Sequence, residues 1–184
     1  MTFYHGSPVG GLRQLEPFLS EHGRPYVYFA TDPLVALLYA VKPVPKPFSY
    51  YPYGFDADGS AVYSEYFEDA FYHLYHGKTG YLYECRDLKD VARPTHINCA
   101  CACTGPVDVD RVTEIPDLYA HFKVQADAGR FRIRARTEIS DREMAFVARE
   151  LRRDIEVHAL KAAPQHAMSR FIQAHFPDVW ADTH

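Results

Sequence analysis

Residues 25–41 read PYVYFATDPLVALLYAV, and the passage from extended chain to helix inside this stretch sets the architecture. Residues 25–30, PYVYFA, are β-branched and aromatic, which suits a short strand. Thr31-Asp32-Pro33 follows, a capping residue ahead of a proline at the first helical position, and this predicts a helix start. Leu34, Val35, Leu37, Leu38 and Val41 then supply an apolar face, so the helix is expected to run to about residue 41. Tyr28 lies near the end of the strand and Tyr39 two turns into the helix, an interval of 11 residues. Placed so, the two rings can face each other across a slot. A slot of that kind suits a flat heteroaromatic guest, held by stacking and, for a cationic guest, by the ring quadrupole.

Upstream, residues 2–5 read as a short strand leading into Gly6-Ser7. The glycine permits close approach to the backbone, and His5 beside it offers a ring nitrogen to a hydroxyl. Downstream, residues 42–61 are dense in proline and carry Phe48, Tyr50, Tyr51, Tyr53 and Phe55, so a long loop is expected. Residues 63–76 place Tyr63, Tyr66, Phe67, Ala70, Phe71 and Leu74 at helical spacings, and GKTG (77–80) ends that helix. YLYEC (81–85) reads as a strand. PVDVDRVTEI (106–115) alternates apolar and polar, as a half-buried strand does. Pro116 and Asp117 begin a short helix to about Phe122, and RFRIRAR (130–136) reads as a solvated strand face. Beyond residue 137 the pattern turns helical. Ser140 and Glu143 form a capping box ahead of an apolar stripe of Met144, Val147, Ala148, Leu151 and Ile155. A second helix follows Pro164, with Ala167, Met168, Phe171 and Ile172 inward. The expected division is therefore a main domain over residues 1–136 and a helical segment over 137–184 packed on it.

The net charge of −4 supplies no general attraction for nucleic acid or anionic lipid. The N-terminus has neither a cationic start nor an apolar core of the secretory type. No apolar run approaches the roughly 20 residues needed to span a bilayer. A cytoplasmic protein without membrane partners is expected. Cys99, Cys101 and Cys103 alternate along the chain, too far apart for an unstrained bridge between neighbours of the series and without zinc-type spacing. Together with Cys85 they are expected as reduced, partly buried thiols, and no metal is expected.

His5-Gly6-Ser7, followed by Tyr28-Phe29-Ala30 and then by Tyr39, resembles the motif order of the poly(ADP-ribose) polymerases and the diphtheria-type toxins. The rifamycin ADP-ribosyltransferases share the first two parts, and the RNA 2′-phosphotransferases are more distantly similar. The resemblance covers about two thirds of the chain. It implies an α+β fold of two small, mostly antiparallel sheets around a cleft that binds NAD as substrate, with helices at the C-terminus. It implies that His5 binds a ribose hydroxyl, that Gly6 and Ser7 hold the carboxamide, and that Tyr28 and Tyr39 sandwich the nicotinamide beside Ala30. The activity it implies is cleavage of the nicotinamide–ribose bond and transfer of ADP-ribose to an acceptor, which can be a protein, a nucleic acid or a small molecule.

One element of the resemblance is missing. Active members carry a glutamate on a late strand, and the matching position here falls at Thr104 or Gly105. A hydroxyl at Thr104 can meet a ribose oxygen but brings no negative charge. Four other acids are candidates to replace the glutamate: Glu84 in YLYEC, Asp108 or Asp110 after the matching strand, and Glu65 from the aromatic segment. The set assigned from sequence is His5, Tyr28 and Asp108 for catalysis, with Gly6, Ser7, Ala30, Tyr39 and Thr104 completing the NAD site. Lacking the glutamate, the chain is expected to transfer a single unit or to hydrolyse NAD, not to build a polymer. A binding module without turnover is the alternative. A phosphotransferase is disfavoured, because the N-terminal half has only Arg13, Arg24, Arg86 and Arg93 to surround a phosphate.

Overall fold

The computed structural model describes residues 1–19, 23–42, 46–47 and 50–183. In chain order the strands and helices are β1 (Phe3–Ser7), β2 (Gln14–Leu15), β3 (Phe18–Leu19), β4 (Pro25–Ala30), α1 (Pro33–Leu37), β5 (Tyr53–Phe55), β6 (Ala61–Ser64) and α2 (Ala70–Tyr75). They continue with β7 (Gly80–Cys85), β8 (Val91–Ala92), β9 (Ala100–Cys103), β10 (Val107–Asp108), β11 (Arg111–Ile115), α3 (Leu118–Asp127), β12 (Phe131–Arg134), α4 (Asp141–Val157), α5 (Ala167–His175) and α6 (Pro177–Asp182). The protein is thus of mixed α+β type, with largely antiparallel sheets and helices at the C-terminus.

Two compact units divide the chain. The first comprises Met1–Pro43 and Tyr75–Val124, the second Val44–Leu74 and Gln125–His184. These units cross the 136/137 boundary expected from the sequence, because β5, β6 and β12 share the second unit with the C-terminal helices.

The first unit holds a seven-stranded sheet in the order β11-β7-β1-β4-β9-β8, with β3 also paired to β4, and the small β10-β2 ladder. Side chains alternate across a strand, and this divides β4 cleanly. Val27 and Phe29 enter a core with Leu15, Tyr83, Cys85, Cys101, Cys103 and Val107. Tyr26, Tyr28 and Ala30 take the opposite face. Tyr4 pairs with Ala30, so Tyr4 and Gly6 share that opposite face, and α1 packs there. A Cβ on Gly6 would lie 1.9 Å from the Ala36 carbonyl oxygen, and one on Gly80 2.8 Å from the Ala40 Cβ. Glycine at both positions lets a helix approach the sheet more closely than any side chain allows.

The helix start at residues 31–33 forms as expected: Asp32 caps α1 by accepting from the Leu34 N–H at 2.7 Å, and Pro33 follows at the first helical position. The helix stops at Leu37, short of residue 41. The Tyr39 and Ala40 N–H groups bond to the carbonyls of Ala36 and Leu37, a spacing of three that winds the chain into a turn.

The second unit contains the β12-β6-β5 sheet, in which β12 and β6 run parallel. The expected helix over 63–76 is replaced here by β6 and the shorter α2. Ala61–Ser64 pairs with a strand on each side, and the Glu65 carboxylate accepts from the Phe71 N–H at 2.9 Å where the helix begins. The capping box at Ser140 and Glu143 starts α4, whose Val147, Leu151 and Ile155 are buried with Phe171, Ile172 and Val179. A third helix, α6, adds to the two expected. Two of the four arginines of RFRIRAR are tied to acids: Arg132 to Glu138 at 2.9 Å, and Arg134 to Glu143 at 2.8 and 3.0 Å. Of the aromatic loop expected over 42–61, Phe48 lies outside the described residues.

Candidate functional site

β1 and β4 run side by side, yet their ladder is limited to the single position Tyr4↔Ala30. Both strands are paired over a longer stretch with another neighbour. β1 is bonded to β7 from Phe3 to Ser7, and β4 to β9 from Val27 to Ala30. The sheet therefore parts between His5-Gly6-Ser7 and Val27-Tyr28-Phe29, the two motifs singled out from sequence. His5 bridges this parting, its Nδ1 lying 2.8 Å from the Tyr28 carbonyl oxygen.

That contact fixes the chemistry of the imidazole. A carbonyl oxygen only accepts, so Nδ1 carries the proton. Burial lowers the His5 pKa, and the bond to Tyr28 offsets part of that effect. The ring is consequently neutral near pH 7, with Nε2 as a bare acceptor. A neutral, oriented imidazole of this kind can receive a hydroxyl proton in a hydrogen bond. The ring packs edge-on against Phe29 and tilted against Tyr83, with centroids 6.1 and 6.4 Å away.

The other sequence-assigned residues are distributed around this point. Gly6 is buried beneath α1. Its missing side chain is thus explained by the helix carbonyl above it, whatever its backbone binds. Ser7 is buried as well, and its Oγ accepts from the Val9 N–H at 3.1 Å. Ala30 sits at the one position where β1 and β4 pair. Tyr28 is half-buried, and Tyr39 is 55% exposed in the turn after α1, not on the helix as expected. Thr104 is exposed in the bend after β9, one residue past the Val27↔Cys103 pair.

The candidate acids separate by element. Asp108 is not on a continuation of β9. The expected strand over 106–115 is broken in two, because Val107 turns into the core beside Leu15 while β11 joins β7. Asp108 is exposed on β10 and accepts from Gln14 Nε2 at 2.8 Å. Glu84 lies on β7 opposite Tyr4, 3.8 Å from Arg111. Asp110 donates its N–H to the Glu84 carbonyl. Glu65 belongs to the second unit and caps α2. Its pKa is raised, chiefly by burial.

Sequence reasoning missed two residues beside Tyr28. Phe18 and Tyr26 each place a ring centroid 5.8 Å from it. The available signal was the short span from Phe18 to Tyr26 with Gly23, a turn-forming residue, inside it.

A shallow, open depression of about 400 Å³ lies in the second unit, lined by Tyr66, Arg142, Glu143 and Phe146; it contains none of the residues assigned from sequence. Among the described residues, no group of three or more His, Cys, Asp or Glu could hold a metal ion, and no helix is long and apolar enough to cross a membrane. Comparison with protein-family models, with curated proteins and with solved structures found no match to this chain.

Proposed function

We propose that this chain binds NAD in the parting between β1 and β4 and acts as a mono-ADP-ribosyltransferase of the diphtheria-toxin and poly(ADP-ribose) polymerase type. The observation that carries this reading is the hydrogen bond from His5 to the Tyr28 carbonyl. It joins the two motifs across an unpaired stretch of sheet and leaves Nε2 ready to accept a ribose hydroxyl. Gly6 and Ser7 follow on the same strand to meet the carboxamide, and Tyr28 and Tyr39 supply rings for the nicotinamide.

In the reaction, the bond from ribose C1′ to the nicotinamide nitrogen breaks and nicotinamide departs neutral with the electron pair. The acceptor's nucleophile bonds to C1′ and loses its proton. Positive charge builds on the ribose as the first bond lengthens, and a carboxylate aimed there lowers the barrier. Asp108 is assigned that role, as an exposed acid on the strand following β9. A carboxylate poorly aimed at the ribose forgoes about 3 kcal/mol, so turnover about 100-fold below that of a glutamate-bearing relative is expected.

The exposed Thr104 at the end of β9, where the resemblance calls for glutamate, favours a second reading: NAD is held without being cleaved. One experiment separates the two. The chain is titrated with NAD⁺ by calorimetry and then incubated with nicotinamide-labelled NAD⁺. Binding with nicotinamide release supports the transferase. Binding without release supports the module, and absence of binding refutes both.

A further inference from the structure

We propose that Phe18 is an additional ring of the nucleotide site, stacking on a planar heteroaromatic ring of the dinucleotide beside Tyr28. The inference rests on the NAD reading and extends it to a residue outside the motifs that suggested it.

Phe18 lies on β3, a two-residue strand paired with the start of β4 through Phe18↔Tyr26 and Leu19↔Pro25. Directly opposed residues on paired antiparallel strands share a face. Phe18 therefore stands on the same face as Tyr26 and Tyr28, opposite the core that takes Val27 and Phe29. Its ring centroid is 5.8 Å from that of Tyr28 at an interplanar angle of 58°, and Tyr26 stands 5.8 Å from Tyr28 at 63°. The three rings grade outward: Tyr26 is 9% exposed, Tyr28 is half-buried, and Phe18 is 53% exposed. Tyr26 thus anchors the row, and Phe18 presents its surface to solvent.

Phe18 lies outside the core cluster on the other face of β4 and leaves 53% of its surface to solvent. Its chemistry is that of a stacking surface: an apolar ring face with no hydroxyl to hydrogen-bond, able to lie against a planar base and to attract a pyridinium. Both ends of NAD⁺ carry such a ring, nicotinamide at one and adenine at the other. Separate probes for each end distinguish them.

The test measures the affinity of the full chain for NAD⁺, nicotinamide mononucleotide and AMP in the wild type and in Phe18→Ala, Phe18→Tyr and Phe18→Leu. Circular dichroism confirms that each variant is folded. Phe18→Ala is expected to weaken NAD⁺ by about 5-fold, and Phe18→Tyr to stay within about 2-fold of wild type. Phe18→Leu, which keeps apolar bulk but removes the π face, is expected to resemble the alanine variant. A loss shared by nicotinamide mononucleotide places Phe18 at the nicotinamide; a loss shared by AMP places it at the adenine. Unchanged NAD⁺ affinity in Phe18→Ala, or full affinity in Phe18→Leu, overturns the proposal while leaving the NAD reading intact. Failure of the wild type to bind NAD⁺ refutes that reading and this inference with it.

Discussion

Replacing Gly6 with alanine tests how closely α1 is seated on the sheet. An ideal Cβ at this position would stand 1.9 Å from the Ala36 carbonyl oxygen, 2.7 Å from its carbon and 3.2 Å from the Ala40 nitrogen. All three atoms are backbone, so no side-chain rotation relieves the clash. Ordinary contact needs about 3.4 Å, and the helix must therefore retreat by more than an ångström or β1 must bend. Overpacking of this kind costs about 1–3 kcal/mol, and a rigid backbone obstacle argues for about 3. For a chain of this size each kcal/mol lowers Tm by about 2–4 °C, so Gly6→Ala should melt about 6–12 °C below wild type. Gly80→Ala gives an internal scale. Its Cβ would meet the Ala40 Cβ at 2.8 Å and Leu118 methyls at 2.8 and 2.9 Å. The leucine can move, and a cost of about 1 kcal/mol is expected. Gly54, with nothing within 4 Å, is the control. The assay is calorimetric unfolding of the variants side by side. Gly6→Ala melting within about 1 °C of wild type, or above Gly80→Ala, would refute the close seating of α1.

Three further outcomes follow from the charged and sulfur-bearing groups. Burial lowers the His5 pKa, so the unfolded chain takes up a proton at a higher pH than the folded one. His5 therefore contributes stability that is complete above about pH 6.5 and declines as pH falls from there to the folded value. His5→Gln should flatten that part of the stability–pH profile in urea titrations, and an unchanged slope would show that His5 does not contribute. Glu143 is held down to about 2 by the Arg134 guanidinium first and by Ser140 second. Its support is present above about pH 4.5 and is lost as pH falls towards 2. Because the pair is partly solvated, Glu143→Gln should cost only about 1 kcal/mol at pH 7, with the gap to wild type closing in acid. Burial pushes Cys85 up to about 12 and raises the pKa of Cys99, Cys101 and Cys103. An aromatic disulfide reagent at pH 8 should therefore label Cys99, the half-buried thiol, ahead of the other three, which should react only on unfolding; prompt labelling of all four would contradict the buried placement.

How far the sequence discloses this protein depends on the range of the interactions involved. The starts of α1 and α4 are legible because Asp32 bonds two residues ahead and Ser140 three. The strands β4 and β7 are legible from their β-branched and aromatic composition. The 61–64 segment is not, since its aromatic spacing fits a helix while its actual partners are β5 next to it and β12 some 70 residues away. The break between β10 and β11 is hidden for the same reason: Val107 pairs with Leu15 and Val112 with Tyr83, choices made by distant strands. At the site, His5 meets Tyr28 through the Tyr28 backbone carbonyl, a contact that motif order does not specify. Phe18 escaped notice because β3 is only two residues long, and Gly6 serves helix packing, which a ligand-based reading does not anticipate.

The central claim concerns the parting between β1 and β4, and a crystal of the full chain soaked with NAD⁺ tests it most directly. The account predicts dinucleotide density in that parting, with a hydroxyl of the ribose within hydrogen-bonding distance of His5 Nε2 and the nicotinamide against Tyr28. Saturated crystals with no density there, or with the dinucleotide bound at a place where neither His5 nor Tyr28 touches it, would contradict the account.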